Sequence, residues 1–217
     1  MAQSVDSASD FGVPADAKDL AKCCREAFEK TRTKKSCSHT VWHVLQNMEY
    51  KLEGKKWPYM EANPLIDKLS GQTSIWQTVG IDKAHELANK GIVIIGGRKG
   101  GIKKDKGGNV VKDKDGKEES EHGHVIIVYP GPKKHTGGYL IPDKDHPGKM
   151  ITMPSRGLYP RALSVSAIKW PGVISCGDKT VRDPWSDKDY IGDKKNPGVQ
   201  YWAPLFCSTV FVEKEKS

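Results

Sequence analysis

Gly123-His124-Val125-Ile126-Ile127-Val128-Tyr129 is the segment from which the architecture of this chain can be worked out. Successive side chains of a strand point to opposite faces of its sheet, and Val125 to Tyr129 are apolar at every position. A short apolar run of this kind predicts a strand that is buried on both faces. The turn residues Pro130-Gly131-Pro132 close it. Residues 92–95, bounded by Gly96-Gly97, predict a second buried strand.

Helical spacing of apolar residues dominates the chain before these strands, and further strands follow them. The predicted helices are 16–31, 37 to about 54, 63–69 and 82–89, and the further strands are 162–170 and 199–206. Because helices come first and strands follow without alternation, the predicted fold class is α+β, with N-terminal helices packed on an antiparallel sheet of four to six strands.

The chain is predicted to form a single domain over residues 15–212. Residues 1–14 are polar and aperiodic, which predicts a flexible lead-in, and residues 213–217 are expected to form a short tail. Lysines alternate with aspartates and glycines in residues 103–121, which predicts an exposed insertion between two strands. Residues 142–157 look like a second inserted stretch.

Composition excludes several classes of protein. The 217 residues carry 35 Lys and Arg against 27 Asp and Glu, a net charge of +8. No apolar run approaches the roughly 20 residues that span a bilayer, and the first residues lack the apolar core of a Sec signal. The positive charge is interspersed with acid and forms no basic stripe, so nucleic acid is not an expected partner. A basic surface favours anionic partners such as the bacterial envelope.

Cys37 is the candidate nucleophile. It lies in Ser36-Cys37-Ser38-His39, where the second predicted helix begins. The unpaired N–H groups and the positive dipole end of a helix start favour a thiolate, which is the nucleophilic form of cysteine. The basic residues 32–35 act in the same direction. A buried, unreactive cysteine on an apolar helix face is the alternative interpretation.

His124 is the candidate general base. It follows Gly123 and begins the apolar strand, which would hold an imidazole rigidly in place. A histidine that only caps a strand end is the alternative. A cysteine at a helix start and a histidine at a distant strand start form together the pattern of a nucleophile with its base. The pair is more specific than either residue alone.

These motifs resemble the NlpC-type papain-like amidases, and most closely the type VI secretion effectors that attack peptidoglycan. The resemblance covers residues 24–132 and, more loosely, 159–166. Besides Ser36-Cys37-Ser38 and Gly123-His124, it rests on Asn63-Pro64-Leu65-Ile66-Asp67, on the apolar strand that ends at Gly97, and on Gly131-Pro132. The longer connection 103–121 and residues 142–157 depart from the family pattern.

The resemblance implies a papain-like NlpC-type fold and a cysteine peptidase that degrades the cell wall. Cys37 would attack the peptidoglycan stem peptide, at the bond between D-glutamate and the diamino acid, and His124 would act as base. The family orients its histidine with a third polar group, for which Ser164 is the nearest match and Ser166 or a backbone carbonyl the alternative. Ser38, Gly123 and Trp185 are the residues expected to contact substrate.

The resemblance also implies a biological setting. The protein is expected to be an antibacterial toxin, a monomer made in the bacterial cytoplasm without a Sec signal. It would be exported to act in the periplasm of a target cell. A cognate immunity protein and secretion-system components are the implied partners. A papain-like protease or deamidase acting on a protein target is one alternative, and a non-catalytic wall-binding or secretion adaptor module is another.

No cofactor and no metal site are predicted. His122 and His124 have the spacing to share one face of a strand, but no third ligand accompanies them at a clear spacing. Asp113-Lys114-Asp115-Gly116 lacks the first ligand of a calcium loop, so it is interpreted as a turn.

The five cysteines allow a disulfide. In an oxidising periplasm we expect a bridge from the first helix to Cys207 in the last strand. Cys24 lies four residues before Phe28 and shares its face, so Cys24 is preferred as the partner, with the adjacent Cys23 as the alternative.

Overall fold

The protein is described by a computed structural model over residues 12–52, 54–71, 75–143, 145–168, 170–194 and 197–205. Within these ranges a short 3₁₀ turn, Ala15–Ala17, leads into the first of five α-helices. The helices are α1 (Lys18–Thr31), α2 (Cys37–Asn47), α3 (Ala62–Gly71), α4 (Ile81–Ala88) and α5 (Asp187–Ile191). The strands are β1 (Lys51–Leu52), β2 (Lys55–Lys56), β3 (Trp76–Val79), β4 (Ile95–Arg98), β5 (His124–His135), β6 (Leu140–Pro142), β7 (Met150–Thr152), β8 (Leu158–Ser164), β9 (Ser175–Thr180) and β10 (Gln200–Pro204).

A six-stranded sheet organises the molecule, in the order β3-β10-β4-β5-β8-β9. Every neighbouring pair in it is antiparallel. The predicted α+β class and antiparallel sheet of four to six strands are therefore confirmed, with six strands present in this sheet. Strands β1 and β2 form one separate hairpin, and β6 and β7 form another.

Strand β5 has buried clusters on both of its faces. Val125, Ile127 and Tyr129 belong to a cluster with α1, α2 and α3. Ile126 and Val128 belong to a second cluster with α4. The two faces explain why the run is apolar at every position, as the sequence predicts.

Several element boundaries differ from the predicted ones. Helix α2 ends at Asn47 instead of near Gly54, because Glu49 adopts a positive φ of 56° and the chain turns into the β1–β2 hairpin. Strand β4 starts three residues later than predicted, at Ile95. Strand β8 starts earlier than the predicted 162–170 and ends at Ser164.

The segment 103–121 lies on the surface and is organised by two aspartate turns. Asp105 Oδ1 accepts hydrogen bonds from the N–H groups of Gly107 and Asn109. Asp113 Oδ1 accepts hydrogen bonds from the N–H groups of Asp115 and Lys117. The turn interpretation of Asp113 agrees with this geometry. No helix in the described ranges is long and apolar enough to cross a membrane.

Candidate active site

Cys37 is the first residue of α2. Ser36 caps the helix, and its Oγ accepts a hydrogen bond from the backbone N–H of His39 at 3.4 Å. The side chain of His39 contributes to the same cap, since its Nδ1 lies 2.8 Å from Ser36 Oγ. The helix therefore starts at the residue that the sequence predicts, and the structure adds the serine cap that fixes this start.

The thiol of Cys37 is partly buried, and burial raises its pKa. Hydrogen bonds from the backbone N–H of Val125, from Ser38 and from the backbone of Cys37 itself act in the opposite direction but do not overcome this effect. The Cys37 sulfur lies 3.9 Å from Ser38 Oγ. The sequence predicts a lowered pKa at this helix start, and the structure differs because the thiol is removed from water. Cys37 is thus a neutral thiol at neutral pH.

His124 is the first residue of β5, and its imidazole lies beside Ser164, the last residue of β8. The distance from His124 Nε2 to Ser164 Oγ is 3.0 Å, and both side chains are buried. Ser166 is not in this contact, because its Oγ accepts a hydrogen bond from the N–H of Ile168. Of the two serines that the sequence leaves open, the structure brings Ser164 to the histidine.

Trp185 covers the imidazole. Its ring lies edge-on to His124, with 5.1 Å between the ring centroids, and its indole N–H donates to Val181 O at 3.0 Å. Trp185 is expected from the sequence to contact substrate, yet its side chain is only 7% exposed. The guanidinium groups of Arg182 and Arg156 both donate to the carbonyl of Trp185, at 2.7 and 3.0 Å, and fix this segment.

Burial determines the protonation of His124. Desolvation lowers the pKa of the imidazole to about 4, so the ring is neutral at pH 7. In the tautomer whose Nε2–H donates to Ser164 Oγ, Nδ1 is the nitrogen able to accept a proton. Cys37 and His124 are therefore a neutral thiol and a neutral imidazole rather than an ion pair.

Among the described residues, no hydrogen bond joins the Cys37 thiol to the His124 imidazole. The alternation of β5 places His124 on the face of Ile126 and Val128, whereas α2 packs on the face of Val125 and Ile127. The Cys37 sulfur contacts the backbone N–H of Val125, which is the residue next to His124 in β5. Hydrogen bonds between catalytic groups are often long without substrate and shorten when substrate binds.

Gly123 lies in a tight contact rather than in an open groove. A Cβ at this position would lie 2.3 Å from Asn63 Oδ1 and 2.9 Å from the carbonyl oxygen of Arg98, so no larger residue fits without movement. Ser38, the other flanking residue, is buried beside the thiol.

Asn63 is a residue whose role the sequence did not reveal. Its Oδ1 accepts a hydrogen bond from Gly100 N at 3.0 Å, and its Nδ2 donates to Glu121 O at 2.9 Å and to Ser120 Oγ at 3.1 Å. It therefore ties α3 to both ends of the surface segment, just before His124. The sequence signal that could have indicated this role is the position of Asn63 before Pro64, in the first turn of a helix.

Tyr59 is a second residue that the sequence did not single out. Its ring stacks on His39 with 4.1 Å between centroids, and its hydroxyl donates to Glu61 Oε1 at 2.9 Å. The hydroxyls of Ser36 and Ser38, on either side of Cys37, also interact with the phenol oxygen. Tyr59 thus forms a partly exposed wall beside the thiol, and no sequence pattern marks it.

Cys24, the predicted disulfide partner, is fully buried in the cluster beneath α1 and has no bridge to any described residue. Cys207 lies outside the described residues, so the Cys24–Cys207 bridge stays a prediction. In the part of the chain that the structure covers, no group of three His, Cys, Asp or Glu side chains could hold a metal ion.

Comparison of the chain with known protein families and with curated proteins finds no match.

Proposed function

We propose that the protein is a cysteine hydrolase with a papain-like arrangement of Cys37, His124 and Ser164, acting on the stem peptide of peptidoglycan. The observation that carries the proposal is the buried hydrogen bond between His124 Nε2 and Ser164 Oγ, one residue from the backbone N–H that contacts Cys37 Sγ. A nucleophile, a base and a group that orients the base are the three parts of such a site.

In the proposed reaction, Cys37 Sγ attacks the carbonyl carbon of an amide bond, and its proton passes to His124 Nδ1. The imidazolium returns this proton to the leaving amine, and a thioester remains on Cys37. Water then hydrolyses the thioester with help from His124, which restores the thiol and releases a carboxylic acid. The backbone N–H of Cys37, at the start of α2, is the proposed donor to the oxyanion.

The substrate is proposed from the sequence resemblance to NlpC-type amidase effectors, together with the basic charge of the chain. The bond between D-glutamate and the diamino acid is the proposed point of cleavage. Action as an antibacterial toxin in the periplasm of a target cell, with a cognate immunity protein as partner, belongs to the same proposal.

Digestion of purified peptidoglycan, followed by mass spectrometry of the muropeptides, tests the proposal. The wild-type protein should release fragments cut at one bond of the stem peptide, and Cys37→Ala and His124→Ala should each release at most about a hundredth as much, because nucleophile and base act as a unit. Cys23→Ala is the matched control, since it removes a thiol from the partly exposed side of α1. Activity that survives Cys37→Ala would remove Cys37 as the nucleophile.

Assays with protein substrates and with intact peptidoglycan distinguish the proposed amidase from the alternative functions. A protease or deamidase would modify a protein substrate in a Cys37-dependent way and leave peptidoglycan intact. A wall-binding module would co-sediment with peptidoglycan and cleave nothing.

A further inference from the structure

A pocket of about 430 Å³ opens beside the candidate site. Arg98, at the end of β4, lines this pocket and is the Cα partner of His124 at the start of β5. Helix α3, the exit from β4 and the residues before β10 surround it. The lining includes Ser70, Arg98, Lys99, Gly101, Ser120 and Gln200.

The charge of this lining is positive. Among the lining residues that the structure describes, Arg98 and Lys99 are the charged ones, and no Asp or Glu belongs to them. The serine hydroxyls and the Gln200 amide add groups that hydrogen-bond an anion. The composition therefore matches a carboxylate better than a cation or an apolar group.

Arg98 has donors to spare. Its side chain is 16% exposed, and Nη1 lies 3.0 Å from Asp189 Oδ1. Its buried Nε has no hydrogen-bond partner in the described part of the chain. A guanidinium group carries five N–H donors, and a buried donor without a partner costs free energy.

The counter-ions of the two cations are exposed and replaceable. Lys99 Nζ lies 2.6 Å from Asp67 Oδ1, and the Asp67 side chain is 63% exposed. The Asp189 side chain is 42% exposed. The Lys99–Asp67 pair is exposed on both sides and contributes little free energy, so a ligand carboxylate can replace Asp67 with little loss, while the Asp189 carboxylate is the accessible partner of the Arg98 pair.

We propose that the pocket beside Arg98 binds a carboxylate of the peptide substrate and so holds the substrate in register with Cys37. The pocket as a carboxylate site follows from its own lining, and the assignment of the carboxylate to the cleaved peptide rests on the proposed function. Arg98 makes a charge-assisted hydrogen bond to the carboxylate, and Lys99 contributes its charge from the pocket edge.

Binding of two small probes to the full chain tests the carboxylate site without any turnover. Glutarate carries carboxylates and glutaramide is its neutral analogue, and both are titrated while the NMR signals of the Arg98 side chain and of Gly101 N–H are followed. Glutarate should bind and shift these signals, and its affinity should fall as salt is added. Equal binding of glutaramide would overturn the proposal.

Substitutions at the pocket separate a ligand-binding arginine from a structural one. Arg98→Gln should weaken glutarate binding at least tenfold, and Lys99→Gln, at an exposed residue, by a few-fold. Asp189→Asn breaks the same ion pair but keeps the cation, so it should bind glutarate as well as wild type or more tightly. Equal losses in Arg98→Gln and Asp189→Asn would show a structural ion pair and overturn the proposal.

Lys133→Gln is the matched control for net charge. It removes one positive charge and one ion pair, with Asp82, away from the pocket, and should leave glutarate binding unchanged. If Lys133→Gln lost as much affinity for glutarate as Lys99→Gln, net charge alone would explain the losses, and the proposed carboxylate site would be overturned.

Peptidoglycan digestion by the same variants links the pocket to the substrate. Arg98→Gln should raise KM at least tenfold and change kcat less. Cleavage with an unchanged KM in Arg98→Gln would overturn the pocket while the hydrolase stands. Glutarate binding in the expected pattern, with no cleavage by wild type, would keep the carboxylate site and remove the hydrolase.

Discussion

Burial, rather than neighbouring charge, sets the chemistry of the two central residues. A helix start contributes about 0.3–1 kcal/mol to a negative charge, which is less than the 1.36 kcal/mol of one pKa unit. Desolvation can shift a buried group by several units. Cys37 therefore stays a thiol despite its place at the start of α2, and His124 stays neutral beneath Trp185.

The hydrogen bond between His124 and Ser164 gives a prediction at the scale of one residue. Ser164→Ala should lower kcat on peptidoglycan about five- to tenfold, which corresponds to the roughly 1–1.5 kcal/mol of a neutral hydrogen bond. Ser166→Ala should leave the rate near that of wild type, because among the described residues its Oγ accepts the N–H of Ile168 and does not contact His124. The reverse order of the two variants would assign the orienting role to Ser166.

The pKa of His124 gives a second prediction. The imidazole must be neutral to accept a proton, so activity should rise with pH through a value of about 4 and not through the ordinary 6.5. Trp185→Ala admits water to the ring, which should move the pKa upward toward 6.5. NMR titration of the His124 ring protons in both folded proteins measures this shift without reference to activity. An unchanged pKa in the variant would show that Trp185 does not cause the desolvation.

The same pKa links His124 to stability. The unfolded chain binds a proton at its ordinary pKa of about 6.5, and the folded chain binds one only near 4. The contribution of His124 to the free energy of unfolding is therefore fully present above pH 6.5. It declines as the pH falls toward 4, by up to about 3 kcal/mol.

At the scale of elements, residues 103–119 and their anchor, Asn63, differ in how much they contribute to the stability of the fold. Residues 103–119 contact mainly each other through the two aspartate turns, whereas Ser120 and Glu121 are held by Asn63. Residues 103–119 therefore project from the fold. Asn63 holds Ser120 and Glu121, which lead into β5.

Replacement of residues 103–119 by a short Gly-Ser turn should leave a folded protein with a similar melting temperature. The replaced residues bury little apolar surface: Ile102, just before them, is 50% exposed, and Val110 within them is 38% exposed. Thermal unfolding followed by circular dichroism measures the change. A loss of the cooperative transition would make the segment part of the core.

Asn63→Ala should destabilise the fold by about 1 kcal/mol, because it removes the partly buried hydrogen bond from the Gly100 N–H together with the bond to Glu121 O. Asn47→Ala is the control: Asn47 is also a helix residue, and its amide makes one exposed bond, to Glu26 Oε2. Urea unfolding of both variants gives the two free energies. Equal values would show that Asn63 is not an anchor.

The sequence predicts elements whose apolar pattern is strong and local. Strand β5 and the start of helix α2 are examples, because a continuous apolar run and the helical spacing of apolar residues act within a few residues. Strands β3 and β9 were not predicted, since Ser175–Thr180 contains a glycine and two charged residues and has no clear alternation. The contact of His124 with Ser164 was proposed through the resemblance, but the cover by Trp185 depends on the loop after β9 and leaves no local pattern.

At the scale of the whole molecule, helix α1 packs beneath the sheet and buries Cys24. A bridge from Cys24 to Cys207 would close a loop of more than 180 residues and stabilise the fold by roughly 4–5 kcal/mol in the chain-entropy account. Non-reducing peptide mapping of protein made in an oxidising compartment should find this bridge. A free thiol at Cys207 would contradict the predicted bridge. A bridge that includes Cys37 would also contradict the assignment of Cys37 as the nucleophile.

Strand β10 lies between β3 and β4, although more than a hundred residues separate it from either in the chain. A ribosome completes Cys37, His124 and Ser164 well before it makes residues 200–204. Until then, the nascent chain has two strands with no partner between them, and long-range pairing of this kind is slow to form. A translation product that stops before residue 200 would carry all three candidate catalytic residues but lack the strand that joins β3 to β4 in the sheet. We expect such a product to be degraded in the producing cell without ever acting on a wall.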